Sequence, residues 1–362
     1  MCVLSAWEDY LATGDDRQLA ADYTLLKDKN LTGFLGGDGL VHKRPGDSSD
    51  ALADLVDWPA SNRDGYVFTE VNTVVNAFQY AAFTTLARCA EVLHRKADAR
   101  DFEARAGKLA AAMRGTLLDR AAGRFADGVG TTHSAQHATA FPVALGADAG
   151  LPDDVRRRLG ATLAAGGMKM SVYGSQFLLD ALFLLGRSDA AVALLTSSGT
   201  NSWLHMLDQL HATIVTEVWD PALKPNMTFS HAWASAPANA VARHLLGVRA
   251  TAPGASAFLV RPRTGGLSRV HGTVPSIRGP VSVTVRHDKD AHTTRVTLPP
   301  NSRGYVEVEL GASHVRDYRV SATPPDDRGR VRVTSHEDIT GTVLRVGPVG
   351  SGTTVVERGR GH

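Results

Sequence analysis

Cysteine is nearly absent from this chain: 362 residues carry two, Cys2 and Cys89. Two thiols build no disulfide framework, which neither requires nor excludes secretion. Charge of one sign is also lacking. Lys and Arg number 39 against 37 Asp and Glu, for a net +2 without a basic block, so a nucleic-acid surface is not expected. Long apolar runs are missing: no stretch reaches 18 residues, and no membrane partner is expected. The opening MCVLSAWEDYLATGDD has no basic segment ahead of an apolar run, so no signal peptide is read and the default compartment is the cytoplasm. Aromatic residues are scarce at 6 %, yet three of the five tryptophans fall between positions 203 and 233.

What is present fits a globular protein: 43 % hydrophobic and 21 % charged residues, in a chain long enough for two domains. Residues 1–249 read as helical. Trp7, Tyr10, Leu11 and Leu19 form a stripe broken by the turn TGDD, and a long polar, Gly-rich connection runs from Gly33 to Arg63. Helices are predicted at Thr69–Leu93, with Val71, Val75, Phe78 and Ala82 on one face, and at Asp98–Asp119, with Phe102, Ala106, Leu109, Met113 and Leu117. Shorter ones follow at His133–Leu145, Pro152–Ala164, Ser171–Leu185, Ser188–Leu195, Ser202–Leu207 and His231–Leu246. Consecutive helices on short loops make antiparallel hairpins, and this many point to an α/α toroid whose loops converge on a pocket. From 250 to 362 the period becomes two, as in Val281, Val283 and Val285 or Val306, Val308 and Leu310, which predicts an antiparallel β-sandwich. The closing ERGRGH is expected to fray.

Four clusters could carry chemistry. The densest is TIVTEVWDP with NMTFSHAWASAP: its one glutamate, Glu217, sits among Trp203, Trp219, His231 and Trp233. Aromatic faces, a histidine and one acid suit a sugar pocket, though a buried junction has the same composition. The second, DLVDWPASNRDGY, places Asp57, Trp58, Arg63 and Asp64 in a loop ahead of a helix, where they either bind a ligand or cap the chain. In the third, Glu70 falls in the first turn of the long helix, with Asn72 and Asn76 sharing a face. Two asparagines there serve either a polyol or a buried network. The fourth contains His133 and His137, spaced as helical metal ligands are. Ser134 stands where the zinc-peptidase pattern needs Glu and no third ligand is evident, so no metal and no cofactor are expected. Inverting glycoside hydrolysis needs a base and an acid about 6.5–9.5 Å apart. Glu217 is the candidate base, and Asp57, Asp64 and Glu70 are the loop carboxylates available as the acid.

These stretches, in order, resemble glycoside hydrolase family 78, the α-L-rhamnosidases. The matching segments are DWP at 57–59, YGSQFLLDALFLLGRSDAAVALL from Tyr173, SW at 202–203, TIVTEVWD at 213–220, SHAW at 230–233 and GTVPSIRGPVSV at 272–283. The resemblance covers about residue 5 to 310 and implies a mainly α chain, an (α/α)6 barrel followed by a β-sandwich. It further implies inverting hydrolysis of terminal α-L-rhamnosides without a cofactor. The family's base corresponds to Glu217, its pocket histidine to His231, and its aromatic wall to Trp58 and Trp203. The family's acid comes from an Asp- and Arg-rich motif near the front of the barrel. None precedes Trp7, and Arg63–Asp64 is followed by Gly65 and Tyr66 rather than Glu. The barrel's first helices and the preceding β-domains have no counterpart, so the toroid is expected to be incomplete. Apolar faces left bare in this way would be covered by a homodimer. Two alternatives stand beside the rhamnosidase reading: a non-catalytic carbohydrate-binding remnant, and a lyase on a rhamnose- and uronate-containing polysaccharide. The lyase would use Arg63, His133, His137 and Tyr173, with Arg63 pairing to the uronate carboxylate.

Overall fold

The computed structural model describes residues 2–43, 54–288, 291–324 and 329–358. Residues 44–53 of the Gly33–Arg63 connection and 359–362 of the closing ERGRGH lie outside the described residues. The chain forms two compact units. One takes in the residues up to Trp7 and those from Asp16 to Pro237; the other takes in Glu8 to Asp15 and everything from Ala238 onward.

The first unit is helical. α1 (Cys2–Thr13) is divided between the two units at Trp7; the first unit then holds α2 (Arg17–Asp28), α3 (Thr73–Val92), α4 (Lys96–Thr116), α5 (Gln136–Ala144), α6 (Asp153–Ala165), α7 (Ser175–Leu184), α8 (Ser188–Leu195) and α9 (Trp203–Asp208). A two-stranded hairpin, β1 (Leu118–Asp119) with β2 (Arg124–Phe125), separates α4 from α5. The α3–α4 hairpin follows from its pattern: Phe83 on α3 stacks on Phe102 of α4 at 6.0 Å between centroids. Phe78 of α3 meets Phe141 of α5 and Phe177 of α7 edge-on at 5.5 and 5.6 Å, and the latter two stack at 4.1 Å. Three helices thus converge on one aromatic knot. No helix among the described residues is long and apolar enough to cross a membrane.

Three helix starts fall later than the periodicity predicts, and in each of the three a side chain has taken backbone N–H groups first; α4 instead starts at Lys96, two residues before the expected Asp98. The expected start at Thr69 moves to Thr73 because the Asn72 side chain caps Val74 and Val75 N–H; Glu70 therefore sits in a bend before the helix. The start at His133 moves to Gln136 because Asp127 takes Ala135 N–H and Asp64 takes Gln136 N–H. The start at Ser171 moves to Ser175 because Ser171 N–H goes to Asp57. The single helix expected over His231–Leu246 is broken into a 3₁₀ turn (Ala232–Ala234), α10 (Ala236–Ala240) and a π turn (Val241–Leu245). Ala234 O accepts the indole N–H of Trp203 at 2.8 Å, so that carbonyl is drawn away from a regular helix.

The second unit is the expected β-sandwich, with two five-stranded sheets ordered β10-β11-β8-β4-β3 and β5-β6-β7-β12-β9. The strands are β3 (Val248–Ala252), β4 (Ala257–Val260), β5 (Arg269–Val274), β6 (Val281–His287), β7 (His292–Leu298), β8 (Arg303–Glu309), β9 (Tyr318–Ser321), β10 (Arg332–Asp338), β11 (Gly341–Val349) and β12 (Gly352–Arg358). Pairing is antiparallel except for β4 beside β8, which run parallel. Along β6, Val281, Val283 and Val285 are buried and alternate with half-buried Ser282 and Thr284, as period two requires.

One titration is built into this unit. His287 and His292 pair across β6 and β7 with ring centroids 4.3 Å apart, and His292 Nε2 lies 2.8 Å from Thr294 Oγ1. Burial first, then the neighbouring His287 and Arg358, push the His292 imidazole down from 6.5 to about 4. A histidine kept neutral in this way contributes stability that is present above its unfolded value and lost as pH falls. The unit is expected to lose about 3 kcal/mol between pH 6.5 and 4. Calorimetry across that range should show the loss reduced in His292→Gln; parallel curves for the two proteins would contradict it.

Candidate active site

The segment from Val215 to Trp233 closes on itself. Glu217 N–H donates to Thr228 O and His231 N–H to Val215 O, both at 3.0 Å, which sets Glu217, Thr228 and His231 side by side. Glu217 Oε2 receives three donors: Thr228 N–H at 2.9 Å, Lys224 Nζ at 3.1 Å and Thr228 Oγ1 at 3.3 Å. Oε1 has no protein partner among the described residues. The Thr228 N–H, then the Lys224 ammonium and nearby His231, hold this carboxyl below its usual value against the opposing effect of burial. His231 Nδ1 lies 3.4 Å from Thr228 Oγ1.

Aromatic rings flank this carboxylate. Tyr173 meets His231 edge-on at 5.3 Å and Trp233 at 5.1 Å, and Trp233 is 69 % exposed. Burial, with Glu217 and Asp57 nearby, raises the Tyr173 phenol, so it stays protonated and can donate. Trp203 and Trp219, expected to wall the pocket, lie beneath it. Both are buried and cross edge-on at 5.0 Å, with their indole N–H groups spent on Ala234 O and Met170 O, each at 2.8 Å. No face of either ring is free for a sugar.

Asp57 is buried and surrounded by donors. Its oxygens accept from Trp58 N–H at 2.9 Å, Ser171 N–H at 2.9 Å, the Ser171 hydroxyl, and His137 Nε2 at 2.7 Å. Ser171 Oγ in turn accepts Tyr173 N–H at 3.0 Å, so one carboxylate ties the Trp58 loop to the Tyr173 loop. Gly174 is required there, since a Cβ would stand 2.6 Å from Asp57 Oδ2. Trp58 is 44 % exposed, and the Arg63 guanidinium carbon lies 5.8 Å from its ring centroid and 5.5 Å from that of Phe68.

The remaining candidates have partners of their own. Asp64 takes Gln136 N–H at 2.9 Å and lies 3.1 Å from Lys169 Nζ. His133 is 2.5 Å from buried Asp127. His133 precedes α5 while His137 lies on it, so the two do not share a helix face as metal ligands would. Among the described residues no three His, Cys, Asp or Glu side chains are placed to hold a metal. Glu70 is 68 % exposed beside His42 at 3.4 Å and shares no partner with Glu217. Asn72 and Asn76 form a buried network: Asn76 clasps Val41 through both its backbone groups, and Asn72 holds Tyr66 and Asp54. Lys224, Thr228 and Ser171 were not expected from the sequence, because no spacing ties them to the residues they serve.

The model of the bacterial alpha-L-rhamnosidase 6 hairpin glycosidase domain matches residues 1–245, and that of the bacterial alpha-L-rhamnosidase C-terminal domain matches 247–318. Among solved structures, α-L-rhamnosidases from Streptomyces avermitilis (complexed with L-rhamnose), Dictyoglumus thermophilum and Aspergillus terreus superpose with a TM-score of 0.70 each, at 20, 20 and 19 % identity. The match covers 98 % of this chain but only 32, 39 and 38 % of those three, so the chain spans well under half of their length. No curated protein matches the sequence.

Proposed function

The chain belongs to the bacterial alpha-L-rhamnosidase 6 hairpin glycosidase family, and from that premise we propose that it is a glycoside hydrolase of family 78 type. It would release terminal α-L-rhamnose with inversion, with Glu217 as the general base. The observation that carries this reading is the Glu217 carboxylate itself. Three donors pin Oε2 and keep the group ionised, while Oε1 is left to take a proton from water. Tyr173 OH and the second nitrogen of His231 are likewise without protein partners among the described residues, and both can bond sugar hydroxyls. The exposed ring of Trp233 offers a surface for the apolar side of a 6-deoxy sugar.

Among the three nominated acids, Asp57 and Asp64 spend both oxygens on the fold, and Glu70 alone keeps an oxygen unspent. That distribution favours, as the second reading, a sugar-binding chain that does not hydrolyse. Turnover of aryl α-L-rhamnosides against other aryl glycosides separates the two. Selective release supports the hydrolase, and rhamnose binding without release supports the binding chain.

Lys224 gives a finer test. Lys224→Met removes the ammonium from Oε2, so the Glu217 carboxyl should rise toward its ordinary value. The base is needed ionised, so the acid limb of the kcat/KM–pH profile should move to higher pH, and Lys224→Arg should move it less. An unmoved limb in Lys224→Met would separate Glu217 from the titrating group.

A further inference from the structure

The arginine beside the exposed tryptophan is built to meet an anion. Arg63 Nε donates to Asp57 O at 2.7 Å, which fixes the side chain near its end. The guanidinium carbon lies 5.8 Å from the Trp58 ring centroid and 5.5 Å from that of Phe68, so both rings help hold it in place. Its backbone is tethered as well, by a bridge to Met170. After these contacts both terminal nitrogens have no protein acceptor among the described residues, and no described carboxylate lies within ion-pair distance of them. The nearby acids are otherwise engaged: Asp57 is buried under its own donors and Asp64 faces Lys169 at 3.1 Å. A tethered guanidinium with both terminal nitrogens free to donate matches a carboxylate bidentately. The Trp58 ring beside it, 44 % exposed, supplies a face on which a pyranose can lie.

We propose that Arg63 and Trp58 form a subsite for a hexuronate, a pyranose carrying a carboxylate, adjoining the Glu217 site. Asp57, Ser171 and Tyr173 make the connection: Asp57 holds Trp58 N–H, Ser171 binds Asp57, and Ser171 Oγ holds Tyr173 N–H, with Tyr173 against His231. In a hydrolase the acidic sugar would be the residue to which the rhamnose is attached. The inference rests on the reading of this unit as a sugar site, but its test does not require turnover.

The probe is a methyl hexuronoside compared with its uncharged methyl ester, titrated against the wild-type chain by NMR at low and at molar salt. The acid should bind about 10- to 100-fold more tightly than the ester at low salt, with the gap closing as salt rises. Arg63→Gln should bind acid and ester alike, and Arg63→Lys should keep only part of the preference. Equal binding of acid and ester by the wild type, or a preference that survives in Arg63→Gln, overturns the subsite. The wild-type comparison stands even if a variant fails to fold. Acid preference without rhamnoside cleavage keeps the subsite and removes the hydrolase; cleavage without acid preference does the reverse.

Discussion

Glu217→Gln is expected to lower the turnover of an α-L-rhamnoside about 100- to 10,000-fold, the contribution typical of a general base, while the protein stays folded. The amide is close to the carboxylate in shape and can still accept Thr228 N–H, so the closed loop from Val215 to Trp233 has no reason to open. What is lost is the negative charge facing Lys224 and the oxygen that takes the proton. Steady-state kinetics with a circular dichroism spectrum of the variant check both halves. A folded variant with wild-type turnover would remove Glu217 from the chemistry.

The second large effect falls on stability. Asp57→Ala should destabilise the helical unit by about 4 kcal/mol, or roughly 10 °C in Tm. The substitution strands Trp58 N–H, Ser171 N–H, the Ser171 hydroxyl and His137 Nε2, most of them buried. His137 already has one buried nitrogen, Nδ1, without a partner, so losing the other leaves the ring with none. A thermal melt reads the result, and a Tm within a degree or two of wild type would show that the network is not what holds the loops. Because the same carboxylate ties the Trp58 loop to the Tyr173 loop, sugar binding should weaken alongside stability.

Asp57 also shows where the sequence stops being readable. Its place in a loop ahead of a helix made it a candidate acid, but its partner Ser171 lies 114 residues away, and no local pattern encodes that pairing. The same holds for Asp64 and Gln136, 72 residues apart. These distant carboxylates decide where α5 and α7 begin, which is why periodicity placed both helices correctly and started both too early. The hairpin of α3 and α4 and the alternation along β6 were legible because local spacing specifies them. Trp203 and Trp219 misled for the opposite reason: their neighbours in sequence are candidate site residues, but their indole N–H groups bond inward to Ala234 and Met170. Glu217 stood out as the one glutamate in an aromatic stretch, whereas Lys224 and Thr228 gave no signal until the loop closed on them.

The central claim, an inverting rhamnoside hydrolase with Glu217 as its base, is tested most directly by NMR of the sugar first released from an aryl α-L-rhamnoside, with Glu217→Gln as control. The account predicts β-L-rhamnose as the initial product and no release by the variant. α-L-Rhamnose appearing first, or no release by folded wild-type protein, would contradict it.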